Sequence, residues 1–373
     1  MPEPLKNSFG RDIPVWIADK IKAVHPVFDV ESFLSEVLDG YDGLELTPRG
    51  WHIAYGLHRH LPASYPEALE VLLASLGPEI SDNQLTGMES FRYMPHIFFV
   101  AQYGLDHFER SMQAQYLLTK RFTAEFSIRA FIEKYPKQTL GRLRDWATDD
   151  SVHVRRLVSE GTRPRLPWAS RLALFQQDPG PVLALLELLK DDPELYVRRS
   201  VANNLNDIGK DNPELLVATA ARWSEGASEE RLWLVRHALR SAVKRGEAKA
   251  LAVLGFSGQP KVKIRKVEIS PQQVCIGESI RLAFDLVACD TNTQRLLVDF
   301  KVHYVKANGS TRAKVFKLRK MDLAPGQTVR LEKQVSCREM STRKHYPGQH
   351  RIDLLVNGQS LPLGAFELST QLT

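Results

Sequence analysis

The sequence predicts a multidomain protein of the α plus β class, in which an all-α repeat solenoid is followed by an all-β sandwich. Residues 1–256 carry apolar residues at helical spacing in one segment after another. Within this region a short motif recurs at a nearly regular interval. Residues 262–373 instead contain short segments of alternating apolar and polar residues between turn signals, which is typical of β-strands.

The first part of the helical region is divided by residues that end helices. Apolar residues recur at helical spacing in Phe28–Leu38, His52–Leu61 and Glu67–Leu76. The dipeptides Leu61-Pro62 and Gly77-Pro78 follow two of these segments, and a helix seldom continues through such a pair. We therefore expect three separate helices here.

An internal repeat begins near residue 138. Residues Asp149–Arg156 resemble residues Asp191–Arg199, and a weaker third copy covers Leu234–His237. The shared Val-Arg dipeptides are 43 and 38 residues apart, which is close to the period of HEAT-like helix pairs. Each pair buries one face only, so neighbouring pairs must stack, and the stack forms a curved surface that suits an extended partner.

The composition changes at Ser257-Gly258-Gln259-Pro260, and residues 257–261 are predicted to be a linker. Beyond it, Asn308-Gly309 and Asn357-Gly358 are hairpin signals, with further turns at 324–326 and 346–348. About seven strands in roughly 110 residues predict an immunoglobulin-like sandwich over residues 262–373. This prediction depends on the strand count, since the region has no tryptophan.

The positive charge is concentrated in the C-terminal third. Residues 259–373 contain 19 lysines and arginines and 10 aspartates and glutamates, whereas the whole chain contains 50 and 44. A basic domain attached to a nearly neutral one is typical of nucleic-acid binding, although a solubilising surface has the same composition. The basic residues expected on the sandwich surface are Lys314, Lys317, Arg319, Lys320, Arg343 and Lys344.

The remaining composition favours an intracellular protein without a cofactor. The three cysteines have no metal-binding spacing and fit a reducing compartment. No stretch approaches 18 apolar residues, and the N-terminal segment has no apolar signal core. His52, His58 and His60 are clustered in sequence, but His58 and His60 point to different sides of a helix. We expect a cytoplasmic monomer with no membrane partner, metal or cofactor.

The segment Ser159–Trp168 breaks a local electrostatic rule. It places Glu160 in the last turn of a predicted helix, where the helix dipole disfavours a negative charge. Two arginines and a tryptophan follow within eight residues, in a stretch stiffened by two prolines: Arg163, Arg165 and Trp168. A rule broken in this way is expected at a functional site.

The repeat indicates that the acidic residue is not required by the fold. Arg156 and Glu160 lie on one face of the predicted helix. One repeat later the corresponding residues are Arg199 and Asn203, so the arginine is kept and the carboxylate is replaced by an amide. A second acidic residue, Glu125, is predicted to lie within a largely apolar helix, Phe122–Ile132.

Two segments resemble a known family. Thr119–Ile132 and Asp149–Trp168 resemble the AlkC branch of the bacterial DNA glycosylases that repair alkylation damage. The resemblance extends through Ile21–Phe28 and Pro48–Ala54, and covers about 250 residues of the helical part. Some members of this branch carry an immunoglobulin-like domain, which the C-terminal third resembles.

The resemblance implies an activity and its residues. Members use a HEAT-like fold to excise cationic alkylated bases, chiefly 3-methyladenine, from double-stranded DNA, and are thought not to flip the damaged nucleotide fully out. The catalytic acids of the family correspond to Glu125 and Glu160. The other residues expected to bind DNA are Arg156, Arg163, Arg165, Trp168, Arg198, Arg199 and Asn203, with the basic sandwich as a clamp.

Each of these residues also has a structural interpretation. Glu125 could be a buried acid that pairs with Arg129 one turn away, and Glu160 could be a solvated residue at a helix end. Trp168 could belong to the core, as most tryptophans do. The first arginine of each repeated pair could instead join neighbouring repeats. For the whole chain, the alternative function is a non-catalytic scaffold that binds DNA or protein.

Overall fold

The computed structural model describes residues 5–80, 88–340 and 343–370. The chain forms two compact units. The first runs to Leu216 and includes residues 226–238, and the second comprises residues 217–225 together with the chain from Leu239 onward. No helix among the described residues is both long enough and apolar enough to cross a lipid bilayer.

The described part of the chain up to Val253 is helical. Its α-helices are α1 (Asp12–Val24), α2 (Val30–Val37), α3 (Leu46–His60), α4 (Tyr65–Ala74), α5 (Met94–Tyr103), α6 (Phe108–Thr119), α7 (Ser127–Lys134), α8 (Pro136–Trp146), α9 (Val152–Gly161), α10 (Ala173–Gln177), α11 (Gly180–Leu189), α12 (Leu195–Asp211), α13 (Pro213–Ser224), α14 (Glu229–Ala238), α15 (Arg240–Arg245) and α16 (Ala248–Val253). Short 3-10 helices cover Leu5–Ser8, Tyr41–Gly43 and Glu89–Tyr93.

The three helices predicted from apolar spacing are confirmed as α2, α3 and α4. Helix α2 begins where the Asp29 carboxylate accepts a hydrogen bond from the Ser32 backbone N–H at 3.0 Å, which caps its first turn. Helix α3 ends at His60, just before the predicted Leu61-Pro62 break. Helix α4 has Pro66 at its start, where a missing N–H costs no hydrogen bond.

The predicted repeat is confirmed by matching hydrogen bonds at the starts of α9 and α12. The Asp149 carboxylate accepts from the Ser151 N–H at 2.8 Å, and the Asp192 carboxylate accepts from the Glu194 N–H at 2.9 Å. Helix α9 packs against α8, α11 and α12, and α12 packs in turn against α14. The repeated aspartates therefore begin successive helices of a stacked, HEAT-like array.

The first arginine of each repeated pair binds the chain that leads into its own helix. Arg155 donates to the carbonyls of Asp149 and Asp150 at 2.8 and 3.0 Å. Arg198 donates in the same way to the carbonyls of Asp192 and Pro193, at 2.5 and 2.7 Å. A guanidinium group suits this role because its planar donors reach two adjacent carbonyls at once.

The second unit contains eight strands among its described residues, one more than the roughly seven predicted. They are β1 (Val262–Ser270), β2 (Gln273–Cys275), β3 (Ser279–Ala288), β4 (Gln294–Val305), β5 (Thr311–Leu323), β6 (Thr328–Ser336), β7 (Gly348–Val356) and β8 (Gln359–Ser369). They form a three-stranded sheet in the order β1-β3-β6 and a five-stranded sheet in the order β2-β8-β7-β4-β5. Strand β2 pairs parallel to β8, and the other neighbours are antiparallel.

The hairpin signals are found where the sequence places them. Asn308-Gly309 lies in the turn between β4 and β5, and Asn357-Gly358 alone connects β7 to β8. Asn357 and Gly358 have φ angles of 44° and 80°, and two successive positive values match the twist of the flanking strands. The immunoglobulin-like sandwich predicted from turns and alternation is therefore confirmed.

Helices α15 and α16 group with the strands, although the sequence assigned residues up to 256 to the helical domain. Leu251 and Phe256 pack with Leu297 of β4 in a small apolar cluster. The Arg295 guanidinium lies 5.4 Å from the centre of the Phe256 ring. Residues 257–261, predicted to be a linker, therefore follow helices that belong to the same unit as the strands.

Candidate active site

Glu125 lies in the turn that precedes α7, and the prediction that it lies within a helix is wrong. Helix α6 ends at Thr119 and α7 begins only at Ser127. Between them the Thr123 hydroxyl accepts from the Glu125 backbone N–H at 3.3 Å and donates to the Glu125 carboxylate at 3.0 Å. A short hydroxyl side chain that bonds its own backbone in this way favours a turn over a helix.

Glu160 is the penultimate residue of α9, in the last turn as predicted, but it is not solvated. It is only 6% exposed. Its Oε1 accepts from Arg163 at 2.7 Å, and its Oε2 accepts from the Ser200 hydroxyl at 2.6 Å. The Ser200 oxygen in turn accepts from the Ser159 hydroxyl at 2.7 Å. The unfavourable helix dipole is therefore offset by a cation and a hydroxyl donor.

Arg156 joins the two carboxylates. Its Nη1 donates to Glu125 Oε2 at 2.6 Å, and its Nη2 lies 3.5 Å from Glu160 Oε1. The guanidinium also lies over the Tyr196 ring, 5.3 Å from the ring centre. Arg156 was expected to meet a DNA phosphate. In the structure it lies between the two acids because one helical turn separates it from Glu160.

The surroundings keep Glu160 ionised. Burial alone would raise the pKa of its carboxyl group, but Arg156, Arg163 and the Ser200 hydroxyl together hold that pKa below its ordinary value. Burial likewise acts to lower the pKa of Arg156, and the charges of Glu125 and Glu160 outweigh it and raise that pKa. The ion pair between Arg156 and Glu160 is therefore present across the physiological range of pH.

Arg163 and Arg165 also have acidic partners within the protein. Arg163 donates through Nε to Asp207 Oδ2 at 2.8 Å, its Nη2 lies 2.8 Å from the same oxygen, and its Nη1 donates to Glu160 Oε1 at 2.7 Å. Arg165 forms a bidentate pair with Asp211 at 2.8 and 2.5 Å. Arg163 is buried, whereas Arg165 is half-buried at the surface. Both are predicted to bind phosphate, and in the structure each connects this segment to α12.

Trp168 does not belong to the core. It is 64% exposed and its φ angle is +64°. A bulky residue in the left-handed region is strained, and such strain is concentrated at functional sites. The structure thus presents a large aromatic ring to solvent shortly after Glu160 in the sequence.

The other residues expected to bind DNA differ in their exposure and in the partners that their side chains have within the protein. Arg198 is occupied by the carbonyls described above, whereas Arg199 is exposed and has no ion pair or hydrogen bond among the described residues. Asn203 is half-buried, and its Oδ1 lies 3.2 Å from His237 Nε2. Arg155 pairs with Asp192 at 2.6 Å, so it does join neighbouring repeats.

Several residues of this cluster were missed from the sequence. Tyr196, Ser200 and Asp207 all lie on α12, about forty residues after Glu160, and contact Arg156, Glu160 and Arg163 respectively. No local pattern marks them. The repeat period places α12 beside α9 and so could have located them. The period does not say which side chains of α12 face the acids.

The structure does not pair Glu125 with Arg129, the partner that the structural interpretation proposed. Arg129 is buried, and its hydrogen bonds go to the carbonyls of Gly161, Arg163 and Ser170. Helix α7 can approach α9 because residue 161 is glycine: a Cβ there would lie 2.5 Å from a methyl group of Ile128. This close approach brings Glu125 and Glu160 to the same arginine.

The three histidines near residue 55 have other contacts. His52 Nε2 lies 3.0 Å from the Val37 carbonyl, His58 stacks on Tyr103, and His60 Nε2 lies 2.8 Å from Glu36. Among residues 5–80, 88–340 and 343–370, no three or more His, Cys, Asp or Glu side chains are grouped so as to hold a metal ion.

Comparisons with known proteins find similarity along nearly the whole chain. A family model described as the C-terminal immunoglobulin-like domain of the uncharacterised protein YhaZ matches residues 263–370. YhaZ of Bacillus subtilis (strain 168) is 33% identical over 356 residues, covering 95% of this chain and 96% of YhaZ.

A solved structure is also similar over nearly the full length. It is the Pseudomonas fluorescens alkylpurine DNA glycosylase AlkC, bound to DNA that contains an abasic-site analogue. The sequences are 39% identical, the TM-score is 0.90, and the match covers 98% of this chain and 100% of that one.

Proposed function

The chain belongs to the AlkC family of alkylpurine DNA glycosylases, and we propose that it hydrolyses the N-glycosidic bond of alkylated purines in double-stranded DNA. The preferred lesions are cationic N3-alkylated bases, chiefly 3-methyladenine. The observation that carries this proposal is the pair of acids joined by Arg156, because a buried carboxylate, Glu160, and a half-buried one, Glu125, are otherwise costly.

The chemistry of the lesion explains why carboxylates are sufficient. Methylation at N3 gives the base a positive charge, so it leaves as neutral 3-methyladenine without being protonated by an acid. Water forms the new bond to C1′ of the deoxyribose, and its proton passes to a carboxylate and then to solvent. A carboxylate also stabilises the positive charge that develops on the sugar, as in glycoside hydrolysis.

The hydrogen bonds favour different roles for the two acids. Glu125 uses Oε2 for Thr123 and Arg156, and its Oε1 accepts no hydrogen bond from any residue that the structure describes. Both oxygens of Glu160 are occupied. We therefore assign water activation to Glu125 Oε1, and assign to Glu160 the stabilisation of the sugar cation by its fixed negative charge.

The proposed DNA contacts follow from exposure. Trp168 packs against a deoxyribose or a base, Arg199 meets a phosphate, and Asn203 lines the same surface. The sandwich contributes basic side chains to the duplex through strand β5. Deletion of residues 259–373 is a poor test of that clamp, because it would expose Leu251 and Phe256.

A product assay tests the activity. The purified chain is incubated with duplexes that contain one 3-methyladenine, one 7-methylguanine or one uncharged hypoxanthine, and the free base is measured by chromatography. We expect release of 3-methyladenine and little release of hypoxanthine. If the chain binds these duplexes but releases no base, it is a DNA-binding scaffold.

The residue assignment is tested separately by Glu125→Gln and Glu160→Gln. Both variants keep the side-chain shape and lose the charge. We expect each to bind duplex with an abasic analogue nearly as the parent does, and to lose single-turnover rate by about 10²–10³-fold. Parent rates in both variants would reject the assignment.

A further inference from the structure

Arg129 is a buried cation whose hydrogen bonds do not go to acids. It lies on α7, one turn after Glu125, and is 3% exposed. Its Nη1 donates to the carbonyls of Arg163 at 2.8 Å and Gly161 at 3.3 Å, and its Nη2 donates to the carbonyl of Ser170. Burial lowers the pKa of Arg129 to about 10. An apolar residue would fill this place without the cost of desolvating a charge.

The three carbonyls belong to one segment. Gly161 ends α9 directly after Glu160, and Arg163 and Ser170 lie on either side of Trp168 in sequence. Within the segment, the Leu172 N–H donates to the Pro164 carbonyl at 3.2 Å. Arg129 therefore holds both ends of a loop whose middle presents an exposed, strained tryptophan.

We propose that Arg129 is a positioning residue for the glycosylase reaction. It fixes residues 161–170 to α7 and so presents Trp168 at a set position relative to Glu160. The helix that directly follows Glu125 thus also holds this loop. This inference rests on the proposed function, since the loop matters to catalysis only if it meets DNA.

A guanidinium is needed because the three acceptors are spread over the segment. Its donors form a planar fork that can reach them all from one fixed group, whereas an ammonium is a compact point charge. Arg129→Met removes every one of these bonds, and Arg129→Lys keeps the charge but reaches fewer carbonyls. The matched control is Lys134→Met, which removes an exposed cation from the same helix.

Hydrogen exchange of the free protein tests the structural half of the proposal without DNA. We expect amides of residues 161–172 to exchange faster in Arg129→Met and in Arg129→Lys, while those of α12 and of the sandwich strands are unchanged. Lys134→Met should match the parent. Unchanged exchange in 161–172, or a uniform increase across the chain, would overturn the proposal. Arg129→Lys decides the question if Arg129→Met does not fold.

A double-mutant cycle tests the functional half. We measure the affinity for duplex with an abasic analogue, and the single-turnover rate, for Trp168→Ala with and without Arg129→Lys. If Arg129 acts through the loop, Trp168→Ala costs much less in the Arg129→Lys background, and Arg129→Lys alone lowers the rate by roughly 10- to 100-fold. Additive effects would mean that Arg129 contributes only stability, and would overturn the proposal. Because hydrogen exchange requires no substrate, failure of the proposed function remains distinguishable from failure of this inference.

Discussion

Two copies of one repeat, α9 and α12, have the same frame and different chemistry. In each, an aspartate carboxylate accepts the backbone N–H at the start of the helix, and an arginine binds the two preceding carbonyls. At the position where the first copy has Glu160, in the last turn of α9, the second has Asn203, in the middle of the longer helix α12. The frame therefore forms without an acid at this position.

The equivalent arginines show the same difference. Arg156 is enclosed by two carboxylates and a tyrosine ring. Arg199, one repeat later, is exposed and has no acidic partner in the described chain. One position of the repeat thus serves an internal ion cluster in one copy and a free surface cation in the next. The surrounding acids decide which role it takes.

The largest effect on the reaction rate is expected when Glu160 of the first copy is replaced by asparagine, the residue of the second copy at this position. Glu160→Asn removes a partner of both Arg156 and Arg163, and we expect the single-turnover rate to fall by about 10²–10³-fold. Each arginine keeps one acidic partner, Glu125 or Asp207, so the free energy of unfolding should fall by only about 1–3 kcal/mol, and urea denaturation must accompany the rate assay. The control is Glu67→Gln, an exposed acid on α4. A folded Glu160→Asn protein with the parent rate would remove the functional distinction between the copies.

The next effect concerns the ring that follows the first copy. Trp168→Ala should weaken binding to duplex with an abasic analogue by roughly 10- to 100-fold, because stacking on a base contributes about 1–3 kcal/mol. Stability should not change, since the ring is largely exposed. Leu188→Ala, another exposed apolar side chain, is the control. Equal affinities of Trp168→Ala and the parent would exclude a DNA contact.

A smaller effect separates the two adjacent arginines of the second copy. Arg199→Ala should reduce the salt dependence of DNA binding by about one phosphate contact and leave the urea midpoint unchanged. Arg198→Ala should leave the salt dependence unchanged and lower the urea midpoint. The free energy of unfolding should fall by about 0.5–1.5 kcal/mol for each hydrogen bond to a carbonyl that is lost. Fluorescence anisotropy at several salt concentrations and urea denaturation measure the two. The same behaviour in both variants would contradict the division of roles within the pair.

The smallest effect appears only in acid. Because the pKa of Glu160 is held below its ordinary value, the group stays ionised as the pH falls toward about 4.3, the usual glutamate pKa. Its contribution to stability is present above the unfolded pKa and is lost as the pH falls through the lowered folded pKa. In Arg163→Gln one cation is gone, so the acid limb of the single-turnover rate should move to higher pH. An unshifted limb would contradict the role of Arg163.

The sequence was informative where the signals are local. Helix breaks at Leu61-Pro62 and Gly77-Pro78, the repeat of Asp and Arg, and two Asn-Gly turns were read correctly because each depends on a few adjacent residues. Glu125 was wrongly predicted to lie in a helix because the apolar residues around it recur at helical spacing. That spacing gives no sign of the hydrogen bond from the Glu125 N–H to the Thr123 hydroxyl, which belongs to a turn. The placement of α15 and α16 with the strands was missed for a related reason, since it depends on contacts with β4.

The sequence by itself determined the order of the two folds, the repeat that builds the first, and the place of Glu160 in the last turn of its helix, since periodicity, turn chemistry and the end of a helix are read from nearby residues. Only the tertiary structure decided that Arg156 joins Glu125 to Glu160, that Arg163 and Arg165 face acids of α12, and that Arg129 holds the Trp168 segment. Apart from Arg156 and Glu160, which lie one helical turn apart, these contacts join residues between 31 and 46 positions apart. Side chains so distant meet only where helices pack, and at one such place a single glycine, Gly161, sets how closely they approach.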